Sequence, residues 1–295
     1  MLTRFSNIVN VVVGGENMSN YKIIGDSCTD LTAEMMSDGN FVKVPLTIEV
    51  GPDVFADDEK FNQKLLLEKM AAWHDAPTTA CPSPAQYLAE FEDDKDNYVV
   101  TLTGRLSGSY NAAVQAAAIY EEEGGSGNVY VFNSRSASPG QVQIALLVRD
   151  LCEQGKNFDE VVETVEAYIS RMKTLFVLEN LENLRKNGRL TKIQALVTGA
   201  LRVKLFMGAT REGEIEKLGQ GLTTRQTLAR MISTVVSDED HVGRRLVISH
   251  CNCPDRAEYL REQFVEKCKF SEIHIVPTGG ISTVYAYDGG TIIAY

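Results

Sequence analysis

The feature that most limits the fold is a repeated unit of short apolar run, hydroxyl-rich turn and helix. Tyr98–Thr103 has the composition of a buried strand; Ser107-Gly108-Ser109 follows and opens an alanine-rich helix over Asn111–Glu123. The unit recurs at Asn128–Phe132, where Asn133–Ser138 leads into a helix begun by Pro139 and running to about Gln154. It occurs earlier at Lys22–Gly25, with Asp26–Asp30 as the turn and Leu31–Ser37 as a short helix. Strands that alternate with helices predict a parallel sheet covered on both faces. Asn40–Val50 is expected to be a strand around Pro45, Lys60–His74 a helix, and Ser83-Pro84 a helix start, with a hydroxyl N-cap followed by proline at the first helical position.

Past Phe158 the pattern changes. Helices are predicted at Asp159–Arg171, Asn180–Lys186, Gly188 to about Ala200, Thr223–Ser237 and Asp255–Phe270, between strands at Thr174–Leu178, Lys204–Ala209, Ile215–Gly219, Arg244–His250, Glu272–Pro277 and Gly290–Tyr295. Gly208 to Gly219 reads as a hairpin turning at Arg211–Glu214, which requires antiparallel pairing. The expected fold is therefore α/β in two lobes, an N-terminal parallel-sheet α/β/α domain (18–165) and a C-terminal α/β domain with a mixed sheet (166–295). Residues 1–17 lack a small-x-small cleavage site and are expected to be an extension outside the fold, with Met18 as the natural start.

Charge and cysteine usage exclude several functions. A formal net charge of −11 repels phosphate backbones and anionic headgroups, against nucleic acid and stable membrane association. The six cysteines form no CxxC pair, as expected of reduced cytoplasmic thiols. His250, Cys251 and Cys253 are wrongly spaced for a zinc knuckle, so no metal and no cofactor is expected. Ser107 lacks the Gly-x-Ser-x-Gly frame of a hydrolase elbow, and neither a Gly-x-x-x-x-Gly-Lys loop nor a paired-carboxylate magnesium signature is present. No catalytic residue is assigned.

Four turns, Asp26–Asp30, Thr78–Ser83, Thr103–Ser109 and Asn133–Ser138, share hydroxyls and helix-start N–H groups at the expected carboxyl edge of the sheet. Such turns suit a small anion, and the scarcity of lysine in them favours a carboxylate over a polyphosphate. Each alone is equally an ordinary helix cap.

In order along the chain these segments resemble the DegV family. Gly25-Asp26-Ser27-Cys28-Thr29-Asp30-Leu31 looks like its opening motif, and Val44-Pro45-Leu46 follows in place. Thr79-Ala80-Cys81-Pro82-Ser83-Pro84 is similar to Thr-Ser-Gln-Pro-Ser-Pro, and Leu106-Ser107-Gly108-Ser109-Tyr110 to Leu-Ser-Gly-Thr-Tyr. Asn133–Ser138 resembles Asp-Ser-Lys-Ser-Ala-Ser, and Leu184–Arg189 resembles Leu-Arg-x-Gly-Gly-Arg. The likeness covers about residues 20 to 295. It implies a non-enzymatic protein that binds a long-chain fatty acid and presents it to a separate fatty acid kinase catalytic subunit, which makes an acyl-phosphate for phospholipid synthesis. The alternative is a lipid-sensing or regulatory module without a kinase partner.

The resemblance also implies that Thr79 and Ser107 hold the carboxylate, with Gly108 allowing close backbone approach. Ser27, Ser109 and Tyr285 are the further ligand-binding candidates, and Arg185 and Arg189 the partner-facing ones. Tyr285 stands where the family has the histidine of a His-x-Gly-Pro-Gly turn; it can donate a hydrogen bond but carries no positive charge, and Asp288 follows nearby. The acyl tunnel is expected in the first lobe, with Leu65, Leu66, Met70 and Val114 as lining, although the same residues suit a core equally well.

Overall fold

The structure is a computed structural model that describes residues 20–193 and 203–295. The expected extension, its proposed start at Met18, and most of the helix expected up to Ala200 lie outside the described residues.

The first lobe is built on four parallel strands, β1 (Tyr21–Asp26), β2 (Phe41–Val44), β6 (Asp96–Thr101) and β7 (Val129–Asn133), in the order β2-β1-β6-β7. Parallel strands need crossovers, and the helices that supply them cover both faces. On one face α2 (Pro84–Leu88) and α3 (Ser109–Glu122) bury Tyr87, Ala112, Ala113 and Ala116 against Ile24 and Val99. On the other, α4 (Pro139–Glu153) and α5 (Phe158–Ile169) pack Ile144, Val148, Val161 and Val165 against Tyr98, Val100 and Phe132. The cap read at Ser83 is present as a box: Gln86 Oε1 accepts the Ser83 N–H at 2.9 Å.

The second lobe is a six-stranded sheet in the order β10-β9-β8-β13-β11-β12, built from β8 (Thr174–Val177), β9 (Lys204–Ala209), β10 (Ile215–Gly221), β11 (Arg245–His250), β12 (Glu272–Pro277) and β13 (Thr291–Ala294). Only β11–β12 is parallel, so the sheet is mixed, and β9–β10 is the expected hairpin. Helices α7 (Thr224–Val236) and α8 (Pro254–Lys267) cover its outer face through Leu228, Met231, Leu260 and Phe264. Its inner face meets α4, whose Val142 and Leu146 pack on Val247 and Val276 while Gln143 Nε2 donates to the carbonyls of Arg245 and Ala294. Helix α4 is thus packed between the two sheets, with ten of its residues buried.

Three expectations differ from the structure. Leu31–Ser37 forms turns rather than a helix: the segment is shorter than a stable helical nucleus needs and runs into Asp38-Gly39. Asn40–Val50 is two strands, because proline has no N–H for a ladder and the chain changes sheet at Pro45. The second piece, β3 (Thr47–Val50), belongs to a separate antiparallel sheet, β4-β3-β5, with β4 (Asp53–Ala56) and β5 (Thr78–Ala80). Thr78–Ala80 is therefore an edge strand, not the start of a turn at the end of the parallel sheet. Helices α1 (Gln63–Ala72), α6 (Glu182–Lys186) and α9 (Gly280–Ala286) complete the described elements that position the site; α9 was not anticipated.

Candidate functional site: a cavity between the lobes

The site begins with a carboxylate that faces no solvent. Asp26 ends β1 fully buried, and accepts from Cys28 N (3.2 Å), Leu102 N (2.7 Å), Gln141 Nε2 (2.8 Å) and Ser109 Oγ (2.5 Å). Burial pushes its carboxyl upward, and these four donors oppose the shift. One side chain thereby fixes the turn after β1, the end of β6, the start of α3 and the first turn of α4.

Two candidate residues are occupied by this scaffold. The Ser109 hydroxyl bonds Asp26 and Tyr87 Oη (2.6 Å), and the Ser27 hydroxyl accepts Leu46 N at 3.0 Å. Both serines are fully buried and neither lines the cavity. Neither hydroxyl caps a helix: Ser109 serves the buried Asp26 carboxylate and Ser27 the Leu46 backbone.

Asp30 and Asp57 act across the lobes. Asp30 accepts from Ser138 Oγ (2.5 Å) and Gly279 N (2.8 Å); Asp57 accepts from Gly280 N (2.7 Å) and Ile281 N (2.8 Å). Together they satisfy the N–H groups of Gly279, Gly280 and Ile281 at the start of α9. Burial pushes Asp30 up to about 7 and also raises Asp57. Helix α9 is rich in Gly, Ser, Thr and Val, weak helix formers, and hydrogen-bond acceptors from the other lobe cap its start.

Held this way, α9 carries Tyr285 to the mouth of a cavity of about 610 Å³. Tyr285 Oη lies 2.8 Å from Thr79 Oγ1. The Arg189 guanidinium sits 5.6 Å from the Tyr285 ring centre, and its Nε donates to the Leu106 carbonyl (3.3 Å). Ser107 and Gly108 stand beside them; a Cβ on Gly108 would come within 3.0 Å of Cys81 Sγ, so only glycine fits there without displacing that side chain. Thr79, Ser107, Tyr285 and Arg189 are thus gathered at the mouth, all half-buried, and the ion pair of Arg105 with Glu214 (4.0 Å) also borders the cavity. Behind it the walls are mainly apolar, from Leu46 and Leu102 of the first lobe and Phe176, Leu178, Ile281 and Ile292 of the second.

The cavity therefore lies between the lobes and not inside the first. Of the expected lining, Leu66 and Met70 belong to the core cluster below it, and Leu65 and Val114 are exposed at 41% each. The two arginines also separate. Arg189 lines the cavity, whereas Arg185 is turned away and paired with Glu182 (2.7 Å) on α6. Asp288 does not line the cavity: it is exposed and accepts from Asn252 Nδ2 at 2.9 Å, beyond a turn at Tyr287 with φ of 55°. Thr79, Ser107, Gly108 and Tyr285 do come together, across a separation of 206 residues in the case of Thr79 and Tyr285. The second-lobe wall was missed, since β8 and β13 look in sequence like ordinary buried strands.

Such an arrangement can bind an elongated apolar molecule with one anionic end. Hydroxyls and a guanidinium at the mouth supply donors, and the volume falls in the range of ~300–1,000 Å³ typical of small-molecule sites. Among the described residues no helix is long and apolar enough to cross a membrane.

Comparison with known proteins agrees with this description. The model of the DegV family, described as an uncharacterised protein family, matches residues 20–295. A DegV domain-containing protein of Streptococcus gordonii is 35% identical over 278 residues, 93% of this chain and 98% of that protein. A DegV family protein of Ruminococcus gnavus, solved with vaccenic acid, is 44% identical, covers 94% of this chain and 99% of its own, and has a TM-score of 0.90. The Streptococcus pneumoniae Fatty Acid Kinase B3 protein, loaded with linoleic acid, is 35% identical with the same coverage and a TM-score of 0.84. This chain is a member of the DegV family.

Proposed function

We propose that the interlobe cavity binds one long-chain fatty acid, and that the protein presents it to a separate kinase for conversion to an acyl-phosphate. The observation that carries the reading is the cavity's polarity: an apolar interior of about 610 Å³ with Thr79, Ser107, Tyr285 and Arg189 gathered at its mouth. Similar proteins at 44% and 35% identity hold vaccenic and linoleic acids, which supports the same ligand class here.

The energetics divide the work between the two ends. At ~0.8 kcal/mol per buried methylene, a sixteen-carbon tail contributes roughly 10 kcal/mol before the costs of association. The hydroxyls and Arg189 fix which end faces out. Thr79 and Tyr285 already bond each other, so a carboxylate entering between them and Ser107 exchanges one neutral hydrogen bond for charge-assisted ones. Ser107 stays beside the solvent-facing rim, so the carboxyl is held at the surface, where a phosphoryl donor on another protein reaches it. In this reading the chain itself supplies binding and orientation, in the cytoplasm, and the partner supplies nucleotide and magnesium.

The test is an assay of the lipid-loaded protein with ATP, magnesium and a bacterial fatty acid kinase catalytic subunit, trapping acyl-phosphate as the hydroxamate. Hydroxamate that requires both proteins supports the carrier role. Lipid that is bound but never phosphorylated by any such kinase would leave a binding module and withdraw the carrier role.

A further inference from the structure

The interlobe cavity shares a thin wall with a second cleft. Ser136 and Ser138 of the turn Asn133–Ser138 line the cavity, whereas Ser134 and Arg135 of the same turn line the cleft. Thr174, which begins β8, and Ala209, which ends β9, border both spaces. At this boundary the Ser136 and Thr174 hydroxyls meet at 2.6 Å, both nearly fully buried. With Thr174 donating to Ser136, and Ser136 to the Ala137 carbonyl at 3.4 Å, both hydroxyl protons are used inside the wall.

Ser136 is held firmly in this position. Ser134 Oγ accepts its N–H at 3.1 Å, and its carbonyl accepts from Thr103 N at 2.9 Å. A Cβ on Gly140, in the first turn of α4, would overlap Ser136 Oγ, so glycine there leaves the hydroxyl room to reach Thr174. The β9–β10 hairpin closes the same region, where Thr103 Oγ1 donates to the Gly213 carbonyl at 3.1 Å and Arg105 pairs with Glu214.

Two features place this wall at the end opposite the mouth. Side chains alternate along a strand, and Thr174, Phe176 and then Leu178 face the cavity. Leu178 packs in the cluster that Tyr285 of the mouth joins, and four residues at ~3.3 Å each set Thr174 ~13 Å away from it. In the parallel sheet, ordered β2-β1-β6-β7, Ser136 follows the last strand. Thr79 lies on β5, whose neighbour β3 continues the chain from β2 at the other edge.

We propose that the Ser136–Thr174 hydroxyl pair, backed by the Ala209 methyl, is the stop for the tail and sets the longest acyl chain this protein accepts. The inference rests on the fatty-acid reading and adds a chain-length limit to it. Each buried methylene raises affinity about fourfold, until the terminal methyl meets a wall that cannot move without breaking buried hydrogen bonds. Beyond the wall, Ile169, Met172 and Leu218 line the cleft, so a tail admitted through a gap there meets apolar surface.

The experiment equilibrates delipidated full-length protein with an equimolar mixture of even-numbered saturated fatty acids from C12 to C22, and reads the occupancy of each by native mass spectrometry. For the wild type, occupancy rises with length to a cut-off at about C14–C18 and then falls about tenfold or more. Ser136→Ala/Thr174→Ala removes both hydroxyls together and leaves neither without its partner; its cut-off is expected about two carbons longer or more. Ala209→Val adds bulk at the same boundary, and its cut-off is expected about two carbons shorter or more. A cut-off that the folded double variant leaves unchanged overturns the proposal while the fatty-acid reading stands. Should the double variant misfold, Ala209→Val decides alone, and an unchanged cut-off there overturns the proposal. A wild type that binds no acid of the series overturns the fatty-acid reading itself, and the proposal with it.

Discussion

Asp30→Asn should make the protein more stable than the wild type, and increasingly so as pH rises. Asp30 is fully buried, bonded to Ser138 Oγ and Gly279 N, and its carboxyl is pushed up to about 7 from an ordinary 3.8. A group whose folded-state pKa is raised contributes stability below its unfolded pKa and loses it as pH climbs to the folded value. For Asp30 that window runs from about 4 to about 7. Asparagine mimics the protonated acid: its carbonyl accepts from Gly279 and its amide meets Ser138, whose hydroxyl turns to accept. At ~1.36 kcal/mol per pKa unit, the variant should gain about 2–3 kcal/mol on the wild type between pH 5 and pH 8, as an order of magnitude. The assay is urea unfolding of both proteins at the two pH values, compared as a difference of differences, which cancels the carboxylates the two share. A gap that does not widen with pH would refute the reasoning, and would mean that the donors at the start of α9 keep Asp30 ionised.

Other outcomes follow from the site. Tyr285→Phe removes the hydroxyl bonded to Thr79 and should weaken fatty-acid binding about tenfold, from a charge-assisted hydrogen bond of ~1.5 kcal/mol, measured by displacement of a fluorescent fatty acid. Ser109→Ala should cost about 1–3 kcal/mol of stability, by leaving Asp26 short of a donor, while the folded fraction binds lipid normally; an affinity loss without a stability loss would return Ser109 to the ligand. Ile292→Trp projects a larger side chain into the cavity wall and should shift the extracted lipids to shorter chains, read by mass spectrometry; an unchanged chain profile would place the tail elsewhere.

Local signals carried the first lobe and long-range ones did not. Hydroxyl caps, proline at helix starts and apolar runs are written within a few residues, and they marked β1, β6, β7, α3 and α4. Pro45 was visible, but the partner sheet that takes the chain after it, β4-β3-β5, is assembled from three separated segments. Helix α9 was illegible because Gly280 to Val284 has little helical preference; its stabilising partners, Asp57 and Asp30, lie more than 220 residues away. The hydroxyl-rich pattern holds Thr79 and Ser107 together with Ser27 and Ser109, since buried turns and cavity walls use the same residue types. Their partners separate the two pairs: Ser109 bonds Asp26 and Ser27 accepts Leu46 N, while Thr79 and Ser107 line the cavity. The cavity wall failed for a related reason. A leucine facing a cavity and one facing a core have the same periodicity, so Leu66 and Met70 were as plausible as Leu102 and Phe176.

The central claim is that the interlobe cavity holds a fatty acid by its carboxylate end. Native mass spectrometry of the purified protein, followed by organic extraction of what it releases, addresses that claim most directly. The account predicts near one C14–C18 fatty acid per chain, lost from a Thr79→Ala/Ser107→Ala variant that remains folded. A protein that emerges empty and ignores added fatty acids, or a double variant that retains its lipid in full, would contradict it.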